Sequence, residues 1–275
     1  MKLIADSGST KTEWILLDDK TISINTIGLN PVFVNEQTIL QTIEFSDLNK
    51  YKDAITEVHF FGAGCSSDER KKIIKNPLSK FFKNAKIEVD TDLLGAGISM
   101  FATNEGIIGI LGTGSNTGYY KNKSIIKNVS SLGYILGDEG SGAHIGKMFI
   151  KAFLDKEIPE NIATEFNSQF NLSLDDIISK VYKEPFPNRF LASFMPFIHS
   201  FKSDVYIQNL LYICFTEFFQ KTILKYDNYK QNKICLIGSV AHFFESEIKL
   251  SAKKLDIKID KIAKNPSNGL IEFYK

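Results

Sequence analysis

Short apolar runs separated by polar turns open the chain. The runs at residues 2–6, 12–18 and 22–27 are rich in β-branched and aromatic residues and end at turn-forming residues, so they predict three strands joined by hairpins. Farther along, helical and strand spacing alternate. The pattern predicts helices at 34–45, 68–82 and 93–102, and strands at 57–61 and 86–89. This part of the chain is therefore expected to form a mixed α/β sheet.

The same pattern begins again at Gly106. Strands are predicted at 106–111, 117–120 and 124–129, followed by a helix at 138–154 and a mostly helical stretch at 159–226. A strand at 233–237, a helix at 240–255, a short strand at 257–260 and a helix at 266–273 complete the prediction. The restart indicates two domains with a boundary near residues 104–112.

Composition and charge narrow the range of functions. The chain has 275 residues and a net charge of +1, which gives no reason to expect a nucleic-acid or membrane partner. Cys65, Cys214 and Cys235 are widely spaced and form no disulfide framework, which favours a reducing compartment. Asp6 interrupts the first apolar run, so a signal peptide is not expected there. No later apolar run is long enough to cross a bilayer. A cytoplasmic location is therefore expected.

The stretch "IADSGSTKT", residues 4–12, contains Gly, Lys and Thr close together, as a P-loop does. The P-loop spacing is absent, and the stretch joins two strands where a P-loop opens a helix. A hairpin tip of small residues still provides N–H groups and hydroxyls that bind an anion. The alternative is an ordinary polar turn. The tip "GTGSN", residues 112–116, repeats the arrangement after the strand that begins at Gly106.

Five motifs, in order, resemble a known family: "DSGSTKTE" (6–13), "TDLLGA" (91–96), "LGTGSN" (111–116), "LGDEGSG" (136–142) and "IGSV" (237–240). They are similar to the N-acetylglucosamine kinase group of the BadF/BadG/BcrA/BcrD ATPases, within the sugar kinase/actin superfamily. The resemblance implies an α/β protein of two actin-like, hexokinase-like (ribonuclease H-like) domains around an ATP cleft. It implies an N-terminal domain at 1–105, completed by a C-terminal helix at about 262–275, and a second domain at 106–261. A homodimer is expected.

The resemblance also assigns residues to ATP and Mg²⁺. Asp6 would hold Mg²⁺, which would remove the conflict between its charge and a phosphate. The implied ATP-binding residues are Gly8, Ser9, Thr10, Lys11, Gly112, Thr113, Gly238 and Ser239. Lys11 alternates with Thr10 along the strand, so a solvated lysine is an equal alternative. Alternatively, Gly238 and Ser239 simply form the connection between a strand and a helix.

Asp92 is the candidate catalytic base. It stands where a predicted strand ends and a helix begins, a common place for catalytic groups in α/β folds. By local pattern alone, a helix N-cap is the better explanation for Asp92, and Asp90 and Thr91 are equally plausible caps. The resemblance favours catalysis, because "TD" followed by two residues and Gly95 matches the position of the family's catalytic Asp.

The candidate sugar-binding residues follow from the resemblance: Asn30, Ser115, Asn116, Ser131, Leu132, Gly133 and Asp138. Instead of binding sugar, Asn30 could simply form an Asn-Pro turn. Ser115 and Asn116 could likewise simply form a tight turn. The family often has Trp where Leu132 stands, a departure that bears on which sugar binds.

The chain is predicted to be an ATP-dependent kinase that phosphorylates the 6-hydroxyl of an amino sugar. N-acetylglucosamine is the first candidate substrate. N-acetylmuramic acid and glucosamine are alternative substrates. Some relatives are ATPases that activate iron–sulfur dehydratases, but the three cysteines form no evident exposed ligand pair. A non-catalytic sugar or nucleotide sensor is disfavoured by Asp92.

Overall fold

The computed structural model describes every residue from Met1 to Lys275. The chain divides into two compact units. The first contains Met1–Glu105, Tyr120–Ile125 and Asn265–Lys275, and the second contains Gly106–Tyr119 and Ile126–Lys264. The first unit therefore includes two segments that are distant from its main part in sequence. No helix combines the length and the apolar character that crossing a membrane would demand.

The first unit is built on a five-stranded mixed sheet. Its elements in chain order are β1 (Lys2–Ser7), β2 (Lys11–Leu17), β3 (Ile22–Ile27), α1 (Glu36–Glu44), β4 (Glu57–Gly62), α2 (Asp68–Phe81), β5 (Lys86–Thr91) and α3 (Asp92–Phe101). The strand order is β3-β2-β1-β4-β5. β1 pairs antiparallel with β2 and parallel with β4. The structure confirms each predicted helix and strand of this part of the chain.

The two faces of this sheet have different roles. One face contributes Trp14 and Phe60 to an apolar core that also contains side chains of α1 and α2. Successive strand residues point to opposite faces, so Asp6 and its register partner Phe61 lie on the other face. There α3 approaches closely, since a Cβ at Gly95 would lie 2.7 Å from the Phe61 ring. The candidate metal ligand Asp6 thus shares its face with the helix that begins at Asp92.

The second unit contains the second five-stranded sheet and most of the helices. Its elements are β6 (Gly106–Leu111), β7 (Ser115–Lys121), β8 (Ser124–Val129), α4 (Gly133–Leu136), α5 (Gly142–Leu154), α6 (Glu160–Phe170), α7 (Leu174–Tyr182), α8 (Pro187–Ala192), α9 (Met195–Ser200), α10 (Val205–Lys221), β9 (Ile234–Ile237), α11 (Ser239–Phe243), α12 (Glu245–Lys254) and β10 (Lys261–Ala263). The end of β7 and the start of β8, within Tyr120–Ile125, are counted with the first unit. The strand order is β10-β9-β6-β7-β8. From β8 to β10 this order matches that from β3 to β5, so the repeat in the sequence pattern corresponds to a repeated sheet.

Aromatic side chains fill the core of the second unit. Phe166 lies at its centre, with ring centroids 5.3 Å from Phe194 and 5.2 Å from Phe197. Phe149 joins the same group at 5.2 Å from Phe166. The aromatic segment 185–197 therefore places Phe194 and Phe197 in the core.

The C-terminal helix α13 (Ser267–Tyr274) belongs to the first unit. It packs tightly on α3, because a Cβ at Gly269 would lie 2.1 Å from the carbonyl oxygen of Ser99. The Ser267 hydroxyl donates to Glu13 of β2 at 2.8 Å, and Lys2 of β1 donates to the Tyr274 carbonyl at 3.1 Å.

Two helices and one strand in the second half have boundaries that differ from the prediction, and the predictions were wrong there. The helix expected from residue 138 begins at Gly142, because Asp138 and Gly140 have φ values of +55° and +72°, outside the helical region. Ser141 is its N-cap and accepts from the His144 N–H at 3.1 Å. The helix expected at 240–255 is divided at Phe244 into α11 and α12.

The strand expected at 257–260 lies instead at Lys261–Ala263. The strand begins later because the chain after α12 is still bonded to that helix. Ile257 donates its N–H back to the Ala252 carbonyl at 2.9 Å, and Asp256 is left-handed with φ +56°. The chain is therefore still closing the helix at Ile257. Pairing with β9 begins only where Lys261 meets Cys235.

Candidate functional site

The "IADSGSTKT" stretch forms the hairpin between β1 and β2, so the exclusion of a P-loop is confirmed. Gly8 donates its N–H to the Lys11 carbonyl across the tip at 3.0 Å. Beneath the tip, the buried hydroxyls of Ser7 and Thr12 bond to each other at 2.7 Å. Both accept the N–H of Leu29, at 3.0 and 3.2 Å. These two hydroxyls hold the hairpin, while the tip itself stays accessible.

Gly28 supports the tip by close backbone approach. Its N–H donates to the Thr10 carbonyl at 3.0 Å. A Cβ at this position would lie 2.4 Å from the Gly8 carbonyl oxygen and 2.6 Å from the Ser9 carbonyl. Any side chain at Gly28 would push the tip away, so the shape of the candidate phosphate hairpin depends on this glycine. The sequence pattern did not single it out.

Asn30 lies buried between the tip and the loop that follows β4. Its side-chain oxygen accepts from the Val32 N–H at 3.0 Å, which is the turn geometry considered as the alternative. Its amide nitrogen lies 3.5 Å from the Ser9 hydroxyl. A Cβ at Gly64, where φ is +83°, would lie 2.3 Å from the Asn30 oxygen. Asn30 therefore has a structural role, and its contact with a sugar stays a prediction.

Asp92 is the first residue of α3, and it is not the N-cap. Thr91 takes that role, because its hydroxyl accepts from the Leu94 N–H at 3.2 Å. One carboxylate oxygen of Asp92 accepts from the Leu93 N–H at 2.8 Å. Thr91 thus fills the N-cap role that was the alternative for Asp92, although Asp92 still satisfies one N–H of the first turn. Its carboxylate stands at the positive end of a helix, which stabilises the charged form.

Asp6 and Asp92 are both difficult to ionise. Burial raises the pKa of Asp92 to about 6. Burial also raises the pKa of Asp6 to about 7, and the charges of Asp92 and Glu13 add to the rise. Lys11 opposes the rise at Asp6, as the weakest of these influences. The first unit therefore gathers acidic groups whose charges are poorly compensated within the protein.

Mg²⁺ fits this acidic group. It is a hard cation that takes carboxylate oxygens and usually keeps several water and phosphate ligands, so one carboxylate is enough to hold it. Lys11 does not replace it, because its side chain is exposed and its ammonium lies 3.4 Å from the Asn25 side-chain oxygen on β3. The geometry favours a solvated Lys11 over a direct phosphate ligand.

The tip after β6 is anchored by the start of α5. Gly112 donates to the Gly114 carbonyl at 2.9 Å and accepts from the Gly142 N–H at 2.8 Å. The Thr113 carbonyl accepts from the Ala143 N–H at 3.1 Å. This loop and the β1–β2 hairpin tip follow equivalent strands of the two sheets. Each unit therefore carries a small-residue loop at the same topological position.

Three of the predicted sugar-binding residues come together in the second unit. The Ser131 hydroxyl donates to Asp138 at 2.8 Å. The Ser115 N–H also bonds to the Asp138 carboxylate, which opposes the rise that burial causes in its pKa. A Cβ at Gly114 would lie 2.9 Å from the same carboxylate. Asp138 thus lies directly beside the 112–116 loop.

Leu132 and Gly133 lie between these residues, at the start of the one-turn helix α4. Leu132 is 62% exposed, and Ile135 and Leu136 of the same turn are more exposed still. Gly133 has a φ of +77°, which explains the need for glycine there. Leu132 packs into no core, so a contact with substrate stays a prediction for it.

Asn116 presents its amide group in a defined orientation. Its side-chain oxygen accepts two bonds, from the Thr117 N–H and from the Asn128 side chain, both at 2.9 Å. Asn128 also donates to the Thr117 carbonyl at 2.6 Å. Asn116 therefore offers its NH₂ group, a hydrogen-bond donor, to a ligand. Sequence reasoning missed Asn128, since it lies in an unremarkable strand and its role depends on strand pairing.

Gly238 ends β9 where that strand passes the end of β6. Its φ is +126°, and a Cβ would lie 2.2 Å from the Leu111 carbonyl oxygen. Its N–H donates to the Ala263 carbonyl at 3.0 Å. Only glycine fits, whether or not adenosine packs there. Ser239 follows as the exposed first residue of α11.

The three cysteines and His59 are packed within the protein. All three cysteines are buried, and burial raises their thiol pKa values, to about 12 for Cys65 and Cys214 and about 11 for Cys235. His59 stacks on Tyr274 with ring centroids 4.2 Å apart. All three thiols are therefore enclosed within the protein.

Two sheets of matching strand order, each with a small-residue loop after its first strand, define the α/β, actin-like fold of the sugar kinases, as predicted. The chain belongs to the BadF/BadG/BcrA/BcrD ATPase family, whose sequence pattern it matches over residues 5–265.

Individual proteins resemble the chain in sequence, in fold or in both. The chain is 30% identical over 227 residues to an N-acetylmuramic acid/N-acetylglucosamine kinase of Clostridium acetobutylicum, covering 75% of this chain and 72% of that protein. A crystal structure from Porphyromonas gingivalis, of a protein proposed to be an N-acetylglucosamine kinase, is 36% identical with a TM-score of 0.95, covering 100% and 98% of the two chains. A Streptomyces griseus glucokinase of the ROK family, bound to glucose and AMPPNP, shares the fold at 14% identity and a TM-score of 0.55, covering 98% of each chain.

Proposed function

We propose that this protein is an ATP-dependent kinase that phosphorylates the 6-hydroxyl of an N-acetylated amino sugar. N-acetylglucosamine is the first candidate substrate. N-acetylmuramic acid is the second, because the Clostridium acetobutylicum relative is named for both sugars. Glucosamine, which lacks the acetyl group, is the third.

One observation carries the proposal. Asp92 is a carboxylate at the end of β5 that its helix does not need as a cap, since Thr91 already provides it. Burial raises its pKa to about 6, which keeps it ionised at neutral pH yet basic enough to accept a proton. A sugar hydroxyl is a weak nucleophile, and it attacks more readily when a carboxylate removes its proton during phosphoryl transfer.

The remaining roles are assigned unit by unit. In the first unit, the accessible tip at Gly8, Ser9 and Thr10 supplies N–H groups and hydroxyls for phosphate. Asp6 would hold Mg²⁺, which when bound supplies positive charge that neutralises the phosphates. In the second unit, Gly112 and Thr113 are assigned to phosphate.

The sugar contacts are assigned to the second unit's polar cluster. The Asp138 carboxylate, bonded by Ser131 and Ser115, keeps free acceptor capacity for sugar hydroxyls. The Asn116 NH₂ group, oriented by Asn128, supplies a donor. A donor beside an acceptor suits a hydroxyl-rich ligand, and it also suits the carbonyl of an acetamido group.

Activation of an iron–sulfur dehydratase is the competing function within the family. It depends on cysteine ligands that lie together, whereas Cys65 and Cys214 are buried in different hydrophobic cores. Anaerobic purification tests this alternative directly. Stoichiometric iron with a reducible cluster absorption would favour the activator, and its absence beside sugar-dependent turnover would favour the kinase.

The decisive experiment is ADP release by purified protein with Mg-ATP. N-acetylglucosamine, N-acetylmuramic acid and glucosamine are compared at equal concentrations, with glucose and no sugar as controls. We expect an N-acetylated sugar to stimulate ADP release above glucose, and product NMR to place the phosphate on O6. No stimulation by any amino sugar would refute the proposal. The homodimer and the cytoplasmic location stay predictions.

A further inference from the structure

A buried histidine lies behind the Asp138 turn and has no part in the function proposed above. His144 is on the first turn of α5, and its side chain is 8% exposed. Its Nδ1 accepts the N–H of Gly140 at 3.1 Å. Its Nε2 faces Glu217 of α10, at 3.6 Å from a carboxylate oxygen. The ring thus lies between the turn that carries Asp138 and helix α10.

The hydrogen bond determines the state of the ring. Because Gly140 donates, Nδ1 must be unprotonated, and the neutral ring carries its proton on Nε2, toward Glu217. A second proton on Nδ1 would place two donors against each other. Burial lowers the pKa of His144, and Lys147 of α5 acts in the same direction. Glu217 of α10 and Glu139 of the turn oppose this.

At Asp138 the turn is held by Ser131 and by the Ser115 N–H, which bond to the carboxylate. At Gly140 it is held by His144. Asp138 and Gly140 are both left-handed, and Asp pays a steric cost there that glycine does not. Gly140 is pressed against α10, since a Cβ would lie 2.8 Å from Phe218. Its N–H is buried, and the imidazole is its acceptor. Losing that acceptor would leave a buried donor unsatisfied, which favours a different turn.

We propose that His144 is a positioning residue for sugar binding: its neutral imidazole holds Gly140 and thereby supports the left-handed backbone at Asp138. Ser131 and Ser115 then orient the carboxylate itself. The inference rests on the proposed function for the identity of the ligand. It adds a pH-sensitive element, because protonation of His144 removes the acceptor on which the turn depends.

Two substitutions separate positioning from packing. His144→Leu keeps bulk but removes the acceptor, whereas His144→Asn keeps an oxygen near the place of Nδ1. Leaving the Gly140 N–H unsatisfied should raise the KM for the sugar by roughly 5- to 100-fold. The KM for ATP should change by less than about 2-fold, and His144→Asn should restore the sugar KM. A purely structural role would lower the melting temperature of the Leu variant and leave the sugar KM unchanged.

An NMR titration tests the link without any substrate. The Gly140 amide and the His144 ring should titrate together in the wild-type protein as pH falls from 8 to 5, with the Asp138 amide following. In His144→Asn the Gly140 amide should stop responding. Failure of every sugar to bind would overturn the proposed function alone, because this titration needs no ligand. A Gly140 amide indifferent to His144 protonation, or a folded Leu variant with normal sugar KM, would overturn the positioning role.

Discussion

Replacing Asp92 by Asn tests the proposed catalytic base. The substitution keeps the size of the side chain and an oxygen for the Leu93 N–H, which the carboxylate now accepts at 2.8 Å. It removes the negative charge of the carboxylate and, with it, the ability to take a proton. General-base catalysis contributes about 10²- to 10⁴-fold, so kcat should fall by that factor. This corresponds to about 3–5 kcal/mol of transition-state stabilisation.

The stability of the variant should move in the opposite direction. Folding raises the pKa of Asp92 from 3.8 to about 6, so the ionised carboxylate costs at most about 3 kcal/mol at neutral pH. Asn removes this cost but loses the favourable interaction with the helix dipole, about 0.3–1 kcal/mol. The cap survives, because Thr91 supplies it. The melting temperature should therefore be unchanged or higher.

The assay combines steady-state ADP release with thermal unfolding. Asp90→Asn is the matched control, since Asp90 lies two residues earlier and pairs with Lys71 at 2.6 Å. It removes a nearby negative charge without removing the proposed base, so kcat should stay within about 3-fold of the wild-type value. Thr91→Ala should lose about 0.5–2 kcal/mol of stability through the cap. A folded Asp92→Asn protein with near-normal kcat would exclude Asp92 as the base.

Three further predictions concern pH, metal and the hairpin. With Asp92 as the base, kcat/KM should rise with pH through about 6, and the rise should disappear in Asp92→Asn, as measured in a pH–rate series. Folding raises the pKa of Asp6 to about 7, so the wild-type protein without Mg²⁺ should lose stability as pH rises from 4 to 7. In denaturant unfolding at pH 8, Asp6→Asn should be more stable than the wild type by at most about 4 kcal/mol. Equal stability at pH 8 would contradict this, and kinetic assays of Asp6→Asn should show a higher Mg²⁺ requirement. Gly28→Ala should destabilise by about 1–3 kcal/mol through its contact with the hairpin tip, whereas Gly8→Ala, whose Cβ would meet only the Lys11 carbonyl at 3.7 Å, should unfold near the wild-type temperature.

Local signals in the sequence were enough to predict most elements of the fold. Apolar periodicity located the strands of both sheets apart from β10, because alternating burial is written residue by residue. The flanks of "IADSGSTKT" excluded a P-loop, since a strand follows the glycine where a P-loop needs a helix. The repeat of strand, small-residue tip and strand predicted two similar units, and the sheets have the same strand order. Ordered motifs indicated the family that the whole chain matches.

The tertiary structure alone decided the features that join distant residues. Thr91 and Asp92 are equally good caps by pattern, and only the packing of β5 and α3 shows which side chain turns back to the helix. Asn128 orients Asn116 through strand pairing, which no local signal records. In the sequence, His144 looks like any other histidine in a helix. Only the structure shows that the left-handed turn places the Gly140 N–H against its ring. Such contacts depend on backbone conformation and approach in space, and periodicity along the chain encodes neither.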